Sequence, residues 1–316
     1  MVERDHVARS KAIHRRTGRT FYYATRLLPN RVREATYVLY AFFRVADEVV
    51  DDADGTPPDD QRRELESLRE QALGRAEPEG PVLEAFQAIK ERHGIRDADV
   101  EAFIDAMLTD VERRRYETYE ELESYMNGSA AAVGRMMTAV MDPDDPETAL
   151  SHATALGEAF QLTNFVRDVR EDVVERDRIY LPQTTLEREG VTSERIERFE
   201  MDERVASVIR TELARAESLY RDGVAGIKYL PSDCQLPVLL AAVLYADHHR
   251  LIRKHDYDVL NNEVELSTTR KLWLVVRVRW HWQWNGDPEE VFRRVSAVPS
   301  SQPLPRGRHH ESLPTR

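Results

Sequence analysis

An all-α fold is what this sequence predicts, on three observations. Apolar residues recur at steps of three and four along most of the 316 residues, the spacing that gathers them on one face of a helix. No series of alternating strand patterns separated by hairpin turns is present. The breaks "DGTPPDD" (54–60), "AEPEGP" (76–81), "MDPDDPE" (141–147) and "YLPSD" (229–233) carry the Pro, Gly and Asp residues that make turns and start helices. In order, helices are expected at about 30–52 (after Pro29), 59–75, 80–93, 97–115, 119–141, 146–176, 202–228, 233–255 and 267–283.

Length alone allows one large domain or two ordinary ones. Residues 1–295 are expected to form a single domain and 296–316 a disordered basic tail, because "VPSSQPLPRGRHHESLPTR" (298–316) has little to bury. Lys and Arg number 45 against 57 Asp and Glu, a net charge of −12 that argues against nucleic acid as a partner. The basic residues are five Lys and 40 Arg, a balance that fits hydration in high salt or, equally, GC-rich codon usage. The single cysteine, Cys234, excludes an intramolecular disulfide and a Cys-based metal cluster, and fits a reducing cytoplasm. The N-terminal "MVERDHVARS" has no signal-peptide core, and the longest apolar run, "LPVLLAAVLYA" (236–246), is too short to span a bilayer. A protein that is soluble or lies on a membrane is expected.

The stretch 31–52, "RVREATYVLYAFFRVADEVVDD", is apolar nearly all round from Val38 to Val50, as in a helix covered on several sides. Through it runs a polar line: Tyr40, Arg44, Asp47 and Asp51 follow steps of four, three and four. Carboxylates on such an element are paired, protonated or bound to metal, unless the line is a solvated edge ending in an acidic loop. A second line follows in "GEAFQLTNFVRDVREDVVERDRIYLP" (157–182), where Gln161, Asn164, Asp168 and Asp172 are separated by three, four and four. If the two helices face each other, four carboxylates and an amide converge on a site for a hard divalent cation. Mg²⁺ fits best, with Mn²⁺ as a substitute, since it keeps several waters and is shared between a few carboxylates and phosphate oxygens. Arg44 and Arg167 lie beside these lines, where charge-assisted bonds to the same phosphate are available. Neither G-x-x-x-x-G-K-[ST] nor G-x-G-x-x-G occurs, so nucleotide use has no local support.

These residues resemble the squalene/phytoene synthase family of head-to-head prenyl synthases from about residue 10 to about 280. "DEVVD" (47–51), preceded by "YAFFRVA" (40–46), is similar to that family's first aspartate-rich motif, and "NFVRDVREDVVERDRIYLP" (164–182) to its second. "TFYYATRLLP" (20–29), "YMNGSAAAVG" (125–134) and "YDV" (257–259) are similar as well. The resemblance implies an isoprenoid-synthase helical bundle around a central active-site cavity, dependent on Mg²⁺ and acting on two prenyl diphosphates. It implies metal on Asp47, Asp51, Asn164, Asp168 and Asp172; substrate contacts from Phe21, Tyr40, Arg44, Asn164, Arg167, Tyr180 and Tyr245; and a catalytic role for Asp47, Asp51, Asp168, Asp172, Arg44 and Tyr125, the last on the cavity wall. Among the aromatics, Phe21, Tyr22, Tyr40, Phe42, Phe43, Phe160 and Phe165 serve either core packing or carbocation stabilisation. The small residues from Gly128 to Gly134 serve either tight helix contact or a lodged prenyl chain. Where the family often has Arg after "YDV", this chain has Asn262 and Glu263.

The expected reaction joins two geranylgeranyl diphosphates through a cyclopropylcarbinyl diphosphate into a C40 hydrocarbon, with no nicotinamide cofactor. Squalene formation from farnesyl diphosphate and NADPH is the alternative, a catalytically inactive helical scaffold a further one. Peripheral membrane contact through 270–295 is also expected, because "RKLWLVVRVRWHWQW" (270–284) mixes Arg with four Trp, as interfacial helices do. A last helix packed on the bundle explains the same stretch.

Overall fold

The computed structural model describes residues 25–51 and 56–300. Helix α1 (Asn30–Val50) follows Pro29, and α2 (Pro58–Ala72), α3 (Pro81–His93) and α4 (Asp97–Glu112) complete the N-terminal half. Helix α5 (Tyr119–Met126) passes through a π-turn (Asn127–Ala131) into α6 (Ala132–Met141), and α7 (Pro146–Arg167) leads into α8 (Val169–Arg176). The short α9 (Gln183–Arg188) and α10 (Ser193–Glu197) precede α11 (Glu203–Ala225), α12 (Ser232–Lys254), α13 (Thr268–Trp284) and α14 (Pro288–Val295). Among the described residues the β-pairing is one isolated bridge, Arg115↔Ile179.

The helix starts follow from sequence chemistry. Proline opens α2, α3, α7 and α14, where its missing N–H leaves nothing unsatisfied. The Asp145 carboxylate caps α7 by accepting from the Thr148 N–H at 3.2 Å, and Asp287 caps α14 by accepting from the Glu289 N–H at 3.0 Å.

Two departures from regular helix shape the site. The expected helix 119–141 is interrupted by the π-turn, where α4 comes so close that a Cβ on Gly128 would sit 2.4 Å from the Ala102 carbonyl. The expected helix 146–176 breaks at Asp168, which leaves the helical region at φ −103°, ψ 17°. Its carboxylate is bound by the neighbouring Arg167, with Nε donating to Oδ1 at 2.6 Å, and adjacent residues do not face each other on a regular helix. The axis nevertheless continues, since the Asp172 N–H donates to the Asp168 carbonyl at 2.9 Å.

Helices α9, α10 and α14 lie where no helix was expected from the sequence. The segment expected to begin the disordered tail packs at its start: Val298 is buried, and the Ala297 carbonyl accepts from Arg253 Nη1 at 3.1 Å. Residues 301–316, the rest of that expectation, lie outside the described residues.

Two apolar clusters make the core. The larger gathers side chains from α1 through α6 and beyond, including Leu39, Phe42, Phe86, Phe103 and Met136. The smaller gathers Leu156, Tyr220, Val243, Leu274 and Phe292 from α7 and α11–α14. Helix α11 lies closely along α7: a Cβ on Gly223 would stand 2.7 Å from Leu156 Cα. Gly223→Ala is therefore expected to cost about 1–3 kcal/mol, read as a lower denaturant midpoint.

Candidate active site

A cavity of about 530 Å³ is lined by residues of both clusters, among them Leu39 and Leu156. Helix α1 presents Thr36, Leu39, Tyr40, Phe43, Arg44 and Asp47 to it, alternating steps of three and one that keep a single face. Helix α7 presents Ala149, Ala153, Leu156, Phe160, Asn164 and Arg167, a face about 27 Å long at 1.5 Å per residue. Both faces change in the same direction, from small or apolar residues at the N-terminal end to Arg, Asp and Asn at the C-terminal end. Val133, Met137 and Met141 of α6 and Val238, Ala241 and Tyr245 of α12 close the apolar walls. The result is a hydrocarbon-lined chamber with one charged end.

Tyr40, Arg44, Asp47, Gln161, Asn164, Arg167 and Tyr245, all singled out from the sequence, therefore share this wall. Tyr245 stacks on Phe160 at 4.6 Å between ring centroids. Of the other aromatics, Phe43 also faces the chamber, while Phe42 stacks on Phe86 at 3.9 Å inside the core. Ser129, Ala130 and Gly134 line the chamber, while Gly128 and Gly134 allow close helix contacts, a Cβ on Gly134 standing 2.6 Å from the Ala153 carbonyl oxygen. Phe21 and Tyr22 lie outside the described residues.

Asp51, Asp168 and Asp172 stand beyond the chamber's charged end. Arg176 brings the two acidic motifs together across 125 residues of sequence, its Nε 3.2 Å from Asp51 Oδ1 and its Nη1 3.4 Å from Asp172 Oδ1. Arg178 adds to this, at 3.9 Å from Asp51 and 3.6 Å from Asp110. Asp168 faces a second, polar cavity of about 680 Å³, shared with Arg167, Asn262, Glu263 and Lys271. Lys271 thus supplies a cation on the wall that holds Asn262 and Glu263.

Tyr125 does not line the chamber, contrary to the sequence expectation. On a regular helix Tyr125 and Ser129 would share a face, but the π-turn between them breaks that register. The Tyr125 hydroxyl instead donates to Asp110 Oδ2 at 2.6 Å, within a buried stack of Tyr116, Tyr125, Phe165 and Tyr180. Tyr180 is buried there too, its hydroxyl 3.5 Å from Asp110 Oδ1.

Charge at this end exceeds what the arginines neutralise. The Asp47 carboxyl is pushed up to about 7, by burial first and by Asp51 second. Asp172 is pushed up to about 7, again chiefly by burial, with Arg176 opposing and Asp168 and Glu171 adding to the rise. Asp110 is pushed up to about 6 by burial, against the pull of Arg178 and the Tyr125 hydroxyl. Among the described residues no three His, Cys, Asp or Glu side chains form a ready-made metal cage. The donors still fit a divalent cation: oxygen ligands on two facing elements, carrying surplus negative charge, suit a hydrated ion shared with a phosphate better than a dehydrated one held by protein alone.

A pH dependence follows. Carboxyls whose folded pKa is raised hold protons that the unfolded chain has released, so metal-free stability falls as pH rises from about 4 to about 7. A bound divalent cation removes that loss. The rise in melting temperature on adding MgCl₂ is expected to be larger at about pH 8 than at about pH 5, by several degrees in scanning calorimetry; an equal rise at both would contradict the assignment.

Asp110, Arg176 and Arg178 were not picked out from the sequence. Arg176 and Arg178 sit inside the second acidic motif: Arg176 continues its helical line four residues beyond Asp172, and Arg178 lies past the end of α8. The Ser129 hydroxyl, on the chamber wall at the π-turn, is buried without a hydrogen-bond partner.

Comparison with known proteins decides the family, for the squalene/phytoene synthase family model matches residues 14–270. The chain belongs to the squalene/phytoene synthase family. Phytoene synthase of Cereibacter sphaeroides is 37% identical over 270 residues, 82% of this chain and 76% of that protein. The 15-cis-phytoene synthase of Synechocystis sp. is 32% identical over 277 residues, 83% of this chain and 81% of that protein. A dehydrosqualene synthase crystallised with a ligand superposes with a TM-score of 0.80 at 27% identity, covering 89% of this chain and 97% of that one. A squalene synthase of Alicyclobacillus acidocaldarius shares the fold, with a TM-score of 0.73 at 24% identity and coverage of 80% and 95%. As a member of this family the chain has its chamber wholly within the matched residues, while all but the first turn of α13 lies beyond them.

Proposed function

We propose that this chain is a Mg²⁺-dependent phytoene synthase, a prenyltransferase that condenses two geranylgeranyl diphosphates head to head without a nicotinamide cofactor. The observation that carries this reading is the chamber itself: an apolar channel along α1 and α7 ending where two aspartate motifs face each other. The relatives named phytoene synthase support the choice of product.

Asp47, Asp51, Asn164, Asp168 and Asp172 would hold Mg²⁺, which supplies neutralisation of the charge that develops on a departing diphosphate. Arg44 and Arg167, on the wall beside Asp47 and Asn164, orient the diphosphate by charge-assisted hydrogen bonds. Departure leaves an allylic cation, and the double bond of the second prenyl chain attacks it. Loss of a proton gives a cyclopropylcarbinyl diphosphate, whose own departure and rearrangement end in loss of a second proton and a C40 hydrocarbon. The faces of Tyr40, Phe43, Phe160 and Tyr245 meet the cation, and the apolar walls keep water from it. Tyr125 and Tyr180 act from behind this wall, holding Asp110 and through Arg178 the Asp51 carboxylate.

Product analysis tests the proposal. Purified protein given geranylgeranyl diphosphate and MgCl₂, with no NADPH, is expected to form a C40 hydrocarbon identified by mass spectrometry. Turnover confined to farnesyl diphosphate plus NADPH, yielding a C30 hydrocarbon, would instead make the chain a squalene synthase.

A further inference from the structure

Helix α13 is apolar on two opposite sides, and the protein covers only one of them. Leu274 and Val278 are fully buried against the smaller core cluster. On the other side Leu272, Trp273, Val276, Trp280 and Trp284 are 62, 45, 67, 60 and 76% exposed. Eight large apolar side chains are exposed among the described residues, and five of them are these. At 100° per residue they fall within an arc of about 120° along the whole helix. Scattered exposed apolar residues need no explanation, but a continuous stripe of this size does.

The charges framing the stripe say what it meets. Arg279 and Arg277 stand within about 20° of its two edges by the same helical geometry, Arg277 and Arg270 bracket the Trp273 ring at 4.9 and 4.3 Å, and the helix carries no acidic residue. This basic stretch belongs to a chain whose net charge is −12. A second copy of the chain is a poor match, because face-to-face pairing would set Arg277 and Arg279 against their own counterparts with no carboxylate on α13 to receive them. An anionic lipid surface answers both features: Trp and Leu enter the headgroup boundary, and Arg pairs with lipid phosphate.

We propose that α13 is a membrane-docking helix that seats the protein on anionic lipid through Leu272, Trp273, Val276, Trp280 and Trp284, with Arg277 and Arg279 at its margins. The surface stands on its own exposure and charge and does not depend on the reaction assigned to the chamber. No helix among the described residues is long and apolar enough to cross a membrane, so the contact is peripheral.

All four Trp residues of the chain lie on this helix, so intrinsic fluorescence reports on it alone. Mixing the full-length protein with phosphatidylglycerol-rich vesicles is expected to shift Trp emission to the blue, to allow quenching by brominated acyl chains, and to carry the protein upward in flotation. Pure phosphatidylcholine vesicles are expected to bind at least about tenfold more weakly. The Trp280→Ser/Trp284→Ser variant, altered only at exposed positions, is expected to lose about tenfold or more of the flotation while turning over detergent-dispersed geranylgeranyl diphosphate at the wild-type rate. Emission unchanged by vesicles would overturn the proposal. So would a blue shift that follows protein concentration without lipid, which would assign the stripe to a second copy, or flotation retained by the double variant. Loss of turnover in both proteins would count against the chamber's assigned reaction and leave the docking result readable.

Discussion

Asp47→Asn is expected to lower hydrocarbon formation about a thousandfold while leaving the protein folded. Asp47 is the one motif carboxylate on the chamber wall itself, at the end of the α1 face where Arg44 also stands. Its charge is held at a cost, because burial and Asp51 push the carboxyl up to about 7. An uncharged side chain of the same shape removes that cost, so the metal-free variant is expected to melt no lower than wild type at neutral pH. A residue whose loss abolishes turnover and spares stability is one kept for chemistry. A variant that lost both together would make Asp47 a structural residue and weaken the reading of the whole charged end.

Ala153→Phe is expected to change which substrate is used. Ala153 lies on the apolar stretch of the α7 face, 11 residues or about 16 Å before Asn164, and borders the chamber. A phenyl ring there occupies the depth that the far end of a C20 chain needs, while a C15 chain anchored at the same charged end stops short of it. The ratio of kcat/KM for geranylgeranyl over farnesyl diphosphate is expected to fall about a hundredfold, the scale set by a few kcal/mol of steric exclusion. An unchanged ratio would mean that the prenyl chain does not run along α7 toward its N-terminus.

Much of the charged end was legible because helices convert spacing into direction. Tyr40, Arg44 and Asp47 follow steps of four and three, Asn164 and Arg167 a step of three, and each set reaches one wall. What escaped depends on departures from the helix or on distant partners. Tyr125 was placed on the chamber by the family resemblance, and nothing in "YMNGSAAAVG" announces the π-turn that takes it out of register with Ser129. The break at Asp168 arises from a pairing with its immediate neighbour Arg167, which helical periodicity does not describe. Asp110 is one of six acidic residues of α4, and its place follows only from Tyr125 and from Arg178, 68 residues away. Helix α14 did carry a signal, Asp287 followed by Pro288 and then Val291, Phe292 and Val295 on one face, but it is eight residues long and easily taken as a tail.

The central claim is that the two aspartate motifs act as one site on metal and diphosphate together. Calorimetric titration with an unreactive thiolo-diphosphate analogue of the prenyl substrate tests it most directly, comparing wild type with Asp47→Asn, Asp172→Asn and the double variant, in MgCl₂ and in EDTA. The account predicts that binding is Mg²⁺-dependent, that each single variant weakens it by a similar factor of ten or more, and that the double variant is little worse than either, since one shared site has already been lost. Tight binding in EDTA, or effects of the two substitutions that simply add, would contradict it.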